Sequence, residues 1–89
     1  MAKVTVLFKI LPKEVDKGID RIREEVGNRV EELGCKVLDA KDEEVAFGLK
    51  ALYVLISMEE KEGRLQEIED NISRIDDVGS VEVVRVTLI

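Results

Sequence analysis

The apolar residues of this chain switch between a period of two and a period of 3.6 and back, and the switch occurs twice. From Lys3 to Leu11, Val4, Val6, Phe8 and Ile10 alternate with Lys3, Thr5, Leu7 and Lys9, the pattern of a half-buried strand. Pro12 ends it, because proline cannot donate to a ladder. Asp16 then reads as an N-cap. Val15, Ile19, Ile22, Val26, Val30 and Leu33 recur at helical spacing, with Arg21, Arg23, Glu24, Glu25 and Glu31 turned to water. Gly18 weakens the first turn, and Gly34 suits the left-handed position just past the helix C-terminus.

The same alternation of periods repeats in the second half. Cys35 to about Ala40 reads as a short strand, and Lys41-Asp42-Glu43-Glu44 as a charged turn or ragged extension. Leu49 to Met58 is the most strand-like segment, with Leu52, Val54, Ile56 and Met58 on one face and Ala51, Tyr53, Leu55 and Ser57 on the other. After a polar connection from Glu59 to Gly63, Leu65, Ile68, Ile72 and Ile75 mark a second amphipathic helix, ending near Asp76-Asp77-Val78-Gly79. Ser80 to Ile89 is β-branched and strand-like. Its alternation breaks at Val83-Val84, which requires a bulge or two covered faces.

The order βαββαβ predicts an α+β, ferredoxin-like sandwich: a four-stranded antiparallel sheet with two helices on one face. No linker or low-complexity tract interrupts it, so residues 1–89 are expected to form a single domain. In this topology the first and third strands are central. Leu7, Tyr53 and Leu55 would then form an apolar patch on the face away from the helices, a feature that marks an interface. A second copy of the chain or another protein would cover it equally well. The fold alone does not say which.

Composition removes several classes of function. Twenty acidic residues against 14 basic ones give a net charge of −6, the wrong sign for a phosphate backbone. The only aromatic rings are Phe8, Phe47 and Tyr53, too few for a base-stacking platform. No nucleic-acid partner is expected; an acidic surface suits a protein with a basic face. The chain has no histidine, hence neither the commonest general base nor the commonest metal ligand. Cys35, the sole cysteine, has no histidine to activate it and reads as a small buried hydrophobe. No GxxxxGK[ST] or GxGxxG cradle occurs, so no cofactor is expected. Asp42-Glu43-Glu44 lacks the spacing and glycine of a calcium loop and reads as a solvated turn, not a metal site.

The absence of a possible internal disulfide, of a signal peptide and of a membrane-length apolar run points to a soluble chain of the reducing cytoplasm. Abundant Glu, Lys and Arg lean toward a heat-adapted source. A melting midpoint in the ordinary mesophile range would remove that reading.

One segment stands apart: Val45-Ala46-Phe47-Gly48-Leu49-Lys50-Ala51-Leu52. It puts an aromatic ring beside a glycine where a charged stretch gives way to an apolar strand. Gly48 would allow a positive φ or a close approach to another surface. Phe47 would then project as an apolar knob next to the Lys50 ammonium and contact another macromolecule. The residues leave a second reading open, in which Phe47 folds back over the end of the core and Lys50 is a solvated strand-end lysine.

Together with the element order, Ala46-Phe47-Gly48-Leu49-Lys50-Ala51-Leu52 resembles the translation elongation factor 1-beta family in its short archaeal form. The resemblance covers essentially the whole chain, with the Phe-Gly segment its specific part. The chain lacks the N-terminal extension of eukaryotic members and looks like the isolated exchange domain. The resemblance implies a guanine-nucleotide exchange factor acting on elongation factor 1-alpha, the GTPase that carries aminoacyl-tRNA to the ribosome. It implies that Phe47, with Gly48, packs into the partner's GTP-binding domain, and Lys50 matches a lysine of the same segment. The family also places a lysine near the C-terminus, where it intrudes on the partner's Mg²⁺ and phosphate site. Here the chain departs, because it ends Leu88-Ile89; Leu88 and Ile89 occupy the partner-facing positions, and Arg85 is the nearest cation.

Two rival readings remain at the level of sequence. A ferredoxin-like regulatory module could dimerise through its open sheet, as a homodimer, and bind a small metabolite. An acylphosphatase-like enzyme would need a phosphate loop rich in Gly and Arg near the first helix, which Gly18 and Arg21 do not form.

Overall fold

Alternating apolar residues can bury one side of a strand only if neighbouring strands align their own apolar sides with it. In the computed structural model, which describes residues 2–14 and 18–89, they do so across one sheet. The elements are β1 (Lys3–Pro12), α1 (Ile19–Glu32), β2 (Lys36–Ala46), β3 (Leu49–Glu59), α2 (Arg64–Ser73) and β4 (Val78–Leu88). The sheet runs β2-β3-β1-β4 and is antiparallel throughout. This is the ferredoxin-like arrangement expected from the sequence, with β1 and β3 in the centre.

The core lies between the sheet and the two helices. Val6, Phe8 and Ile10 of β1 and Leu52, Val54 and Ile56 of β3 pack against Ile22, Val26 and Val30 of α1 and Ile68 and Ile72 of α2. Each is at most 1% exposed, so the period of two and the period of 3.6 point at one interior. Cys35 joins this cluster as a small apolar side chain. Burial raises its thiol pKa above the ordinary value, against a smaller opposing effect from Arg64.

The ends of the elements follow local chemistry. Gly34 has φ 81°. Its N–H bonds the Glu31 carbonyl and the Cys35 N–H bonds that of Val30, the paired bonds of a Schellman motif. At the other end of α1, Gly18 is the N-cap; Val15 and Asp16, expected in the helix and at its cap, lie outside the described residues. The helix α2 stops at Ser73, short of the expected end near Asp76–Gly79. Asp77 there adopts φ 76° and its carbonyl accepts the Lys13 N–H at 2.7 Å, which ties the turn to the end of β1.

Three findings concern the strands, the first of them a correction. β4 begins at Val78, two positions ahead of Ser80, because Val78 pairs with Pro12. The break at Val83-Val84 is a bulge: Leu7 faces Arg85 and Phe8 faces Val83, leaving Val84 unopposed. Of the two readings of Lys41–Glu44 the extension holds and the turn does not, since β2 continues to Ala46 and pairs with β3. An edge strand with both sides wet has no need of alternating apolar residues, so its charges mimic a loop.

Candidate functional site

Because β2 extends further than its composition suggests, only Phe47 and Gly48 connect it to β3. Ala46 pairs with Leu49 and Glu44 with Lys50, so Val45 is a bulged extra residue. Gly48 has φ 69°, where an L side chain is strained and glycine is not. The turn throws the Phe47 side chain outward, with a relative exposure of 104%. Phe47 does not fold back over the core. Phe47 and the bulged Val45 at the end of β2 are both exposed and give the hairpin an apolar tip next to the charged run Lys41–Glu44.

Lys50 is not beside that ring as a free cation. Its ammonium lies 3.7 Å from Asp42 Oδ2, while Asp42 Oδ1 accepts a hydrogen bond from Arg23 Nη2 at 2.7 Å. Arg23 also approaches Asp20 at 3.8 Å. The Arg23 hydrogen bond, aided by Lys50, holds the Asp42 carboxyl below the usual carboxylate range. Arg23 was expected to face water. It lies beside Ile22 on the flank of α1 that overhangs β2, and no sequence periodicity distinguishes such a flank from an exposed face. Glu43 pairs with Ala51, on the opposite side of the strand from Asp42 and Glu44, which separates successive carboxylates of the acidic run.

Leu88 and Ile89 are elsewhere. Leu88 pairs with Val4 and Val4 with Met58, at the far end of β3 from Leu49. The nine residue steps from Leu49 to Met58, at about 3.3 Å each, put roughly 30 Å between the two, on a molecule whose long dimension is 42 Å. The hairpin tip and the C-terminus therefore do not form one patch. Leu88 is 65% and Ile89 73% exposed. Leu88 and Val86 border an apolar groove on the helix side of the sheet, lined also by Val4, Val6, Met58 and Leu65. Arg85 pairs with Leu7 and so faces the other side of the sheet. It cannot take the place of a cation at position 88.

Leu7, Tyr53 and Leu55 do lie on the helix-free face, with Leu7 opposite Leu55. They are half-buried, not open. Their rows end in charge: Asp39 flanks Leu55, Lys9 and Lys41 flank Tyr53, and Arg85 flanks Leu7. Apart from Leu38 near the start of β2, the large apolar side chains that are exposed lie at the hairpin tip, along β4 and at the C-terminal Ile89. No helix among the described residues is long and apolar enough to cross a membrane.

What these features define is a small ferredoxin-like binding domain that presents apolar side chains at the two ends of its sheet. Residues 5–89 match the model of the EF-1 guanine nucleotide exchange domain, and the chain belongs to that family. It is thus a guanine-nucleotide exchange factor of translation elongation. It is 38% identical over 88 residues to an elongation factor 1-beta of Methanocaldococcus jannaschii, covering 99% of each chain. It is 35% identical to that of Methanococcus vannielii and 36% to that of Thermoplasma acidophilum, each over 89 residues and the whole of both chains. Among solved structures it resembles the de novo designed protein Foldit4 (TM-score 0.70, 21% identity, 96% of each chain). It also resembles an ACT domain from a GTP pyrophosphokinase of Chlorobium tepidum (TM-score 0.66, 13% identity, 92% of this chain and 99% of that one). At those identities the likeness is of fold alone.

Proposed function

We propose that the 89 residues act as one exchange domain on elongation factor 1-alpha, binding its GDP form and promoting GDP release so that GTP can reload, with Phe47 as the anchoring contact. The observation that carries the role of Phe47 is its fully exposed ring on a two-residue turn. A ring held out in water has no folding role to lose. It becomes favourable only when a partner covers it.

Exchange of this kind is a binding effect. The factor makes and breaks no covalent bond, and it must bind the nucleotide-free GTPase better than the GDP-bound form, since equal affinity for both shifts nothing. The coupling is reciprocal: GDP weakens the factor's hold as much as the factor weakens that of GDP. One copy of the chain carries both apolar ends, and the acidic surface suits a basic protein face, not nucleic acid. Such a factor works in the cytoplasm, where its GTPase works. Gly48 shapes the turn, while Leu88 and Ile89 are a second contact, apolar where the family resemblance implies a lysine.

The test is GDP release. The chain is added to elongation factor 1-alpha loaded with fluorescent GDP, and release should accelerate. Phe47→Ala should weaken the interaction by more than about 2 kcal/mol, or roughly thirty-fold. A release rate that the wild-type chain leaves unchanged would defeat this reading.

A further inference from the structure

The hairpin outruns the sheet that supports it. Val81, Ile10, Leu52 and Asp42 form one cross-strand row, the last in which β1 pairs with β3. Beyond it, Glu43 faces Ala51, which is still fully buried, and then Glu44 faces Lys50 and Ala46 faces Leu49, a two-stranded ribbon leading to Phe47. Every β2 residue from Lys41 to Ala46 is exposed, so on that strand no core side chain anchors the projection. Two strands alone are marginally stable in water.

One carboxylate spans the junction. Asp42 Oδ1 is 2.7 Å from Arg23 Nη2 on α1, and Asp42 Oδ2 is 3.7 Å from Lys50 Nζ on the ribbon. The Arg23 and Asp42 side chains are 38% and 32% exposed, and Arg23 Nε is shut off from solvent without a hydrogen-bond partner. A guanidinium partly withdrawn from water in this way binds a carboxylate more firmly than a freely solvated one. The pair joins the helix layer to the last supported row, and Lys50 continues the link into the projecting part.

We propose that Arg23 and Asp42 are positioning residues for nucleotide exchange: their ion pair sets the angle at which the ribbon presents Phe47 to the GTPase. This rests on the exchange function proposed above and adds to it. Lys50 then serves within the chain, holding Asp42, and not as a contact to the partner. When the pair is broken the ribbon samples many tilts and only a fraction present the ring correctly. Apparent affinity falls by that fraction, because binding must select the competent tilt. The rate within the assembled complex does not change.

The effect is read in Asp42→Asn, which keeps side-chain size and removes charge, in Arg23→Met, which keeps an unbranched apolar stem and removes the charged head, and in Arg23→Lys, which retains charge. GDP release is followed against factor concentration, and amide exchange of residues 43–50 is followed in the chain alone. Each uncharged variant should raise the half-saturating concentration by about three- to ten-fold at an unchanged plateau rate. Ribbon amides should exchange faster, while those of Val6 and Val54 stay protected. Arg23→Lys should recover most of the lost affinity. Merely structural damage would instead lower protection throughout the sheet. A factor that depends on Phe47 but whose half-saturation is indifferent to Arg23→Met and Asp42→Asn overturns this proposal alone. A chain without exchange activity, or one unaffected by Phe47→Ala, overturns the functional reading and this proposal with it.

Discussion

Gly79 lies so close to Pro12 that a methyl group on its Cα would meet the Pro12 carbonyl oxygen at 2.9 Å and the Lys13 Cα at 3.2 Å. Both are backbone atoms and neither can turn aside. Gly79 is the unopposed residue of a β4 bulge, since Leu11 pairs with Ser80 and Pro12 with Val78. Gly79→Ala should therefore destabilise the fold by about 1–3 kcal/mol, the range of overpacking. The urea midpoint measures it; an unchanged midpoint would mean that the bulge relaxes freely.

The two phenylalanines should separate folding from function. Phe8 is fully buried and Phe47 fully exposed. Phe8→Ala should cost about 3–5 kcal/mol of stability. Phe47→Ala should leave the melting temperature within about a degree or two of wild type, as surface truncations do. A large loss of stability in Phe47→Ala would show that the ring packs on its own domain.

Gly48 predicts a graded response. At φ 69° a β-branched residue is strained, so Gly48→Val should lose roughly 1–2 kcal/mol, whereas Gly48→Asn, which tolerates the left-handed region, should lose less. Equal costs for the two would argue that the backbone of the turn adjusts.

Acid should loosen the Asp42 junction. The folded carboxyl pKa is lowered, first by the Arg23 hydrogen bond and further by Lys50. A lowered folded value gives stability that is present above the unfolded value, about 3.9, and is lost as pH falls through the folded one. The stability difference between Asp42→Asn and wild type should thus hold down to about pH 4 and close only in stronger acid, as the folded carboxyl takes up its proton. If the difference persists there, charge is not what Asp42 contributes.

Cys35 gives the opposite sign. Burial raises its thiol pKa, and a raised value favours the protonated form, whose stabilising effect fades as pH climbs through the folded value. In the native chain iodoacetamide should alkylate Cys35 far more slowly than in urea, because a shielded neutral thiol is a poor nucleophile. Equal rates at pH 8 would mean that the site opens.

The order of elements was legible because burial forces a period on each of them: Phe8 and Ile10 could face only one interior, and Val26 and Val30 only the same one. The Schellman end at Gly34 and the bulge at Val84 were also visible, each being a local break in a pattern. The outer half of β2 was not. An edge strand wet on both sides has no burial to record, so Lys41–Glu44 read equally as a turn or as an extension of the strand. The projection of Phe47 could be suspected from its glycine neighbour but not distinguished from a ring folded inward until the two-residue turn was seen. The pairing of Arg23 with Asp42 and the distance between Phe47 and Leu88 depend on strand register and helix placement, which exist only after folding. Sequence placed Leu7, Tyr53 and Leu55 on the open face, yet it could not show that charged neighbours in the flanking strands would shelter them.

The reach of the hairpin past the last row that β1 shares with β3 has a mechanical consequence. From Asp42 to Phe47 the strand extends roughly 15 Å, so a rotation of about 10° at its base sweeps the ring through nearly 3 Å. The projection is a lever arm that amplifies sub-ångström adjustments at the fulcrum, and substitutions far from any contact surface can thereby retune how this molecule grips its GTPase.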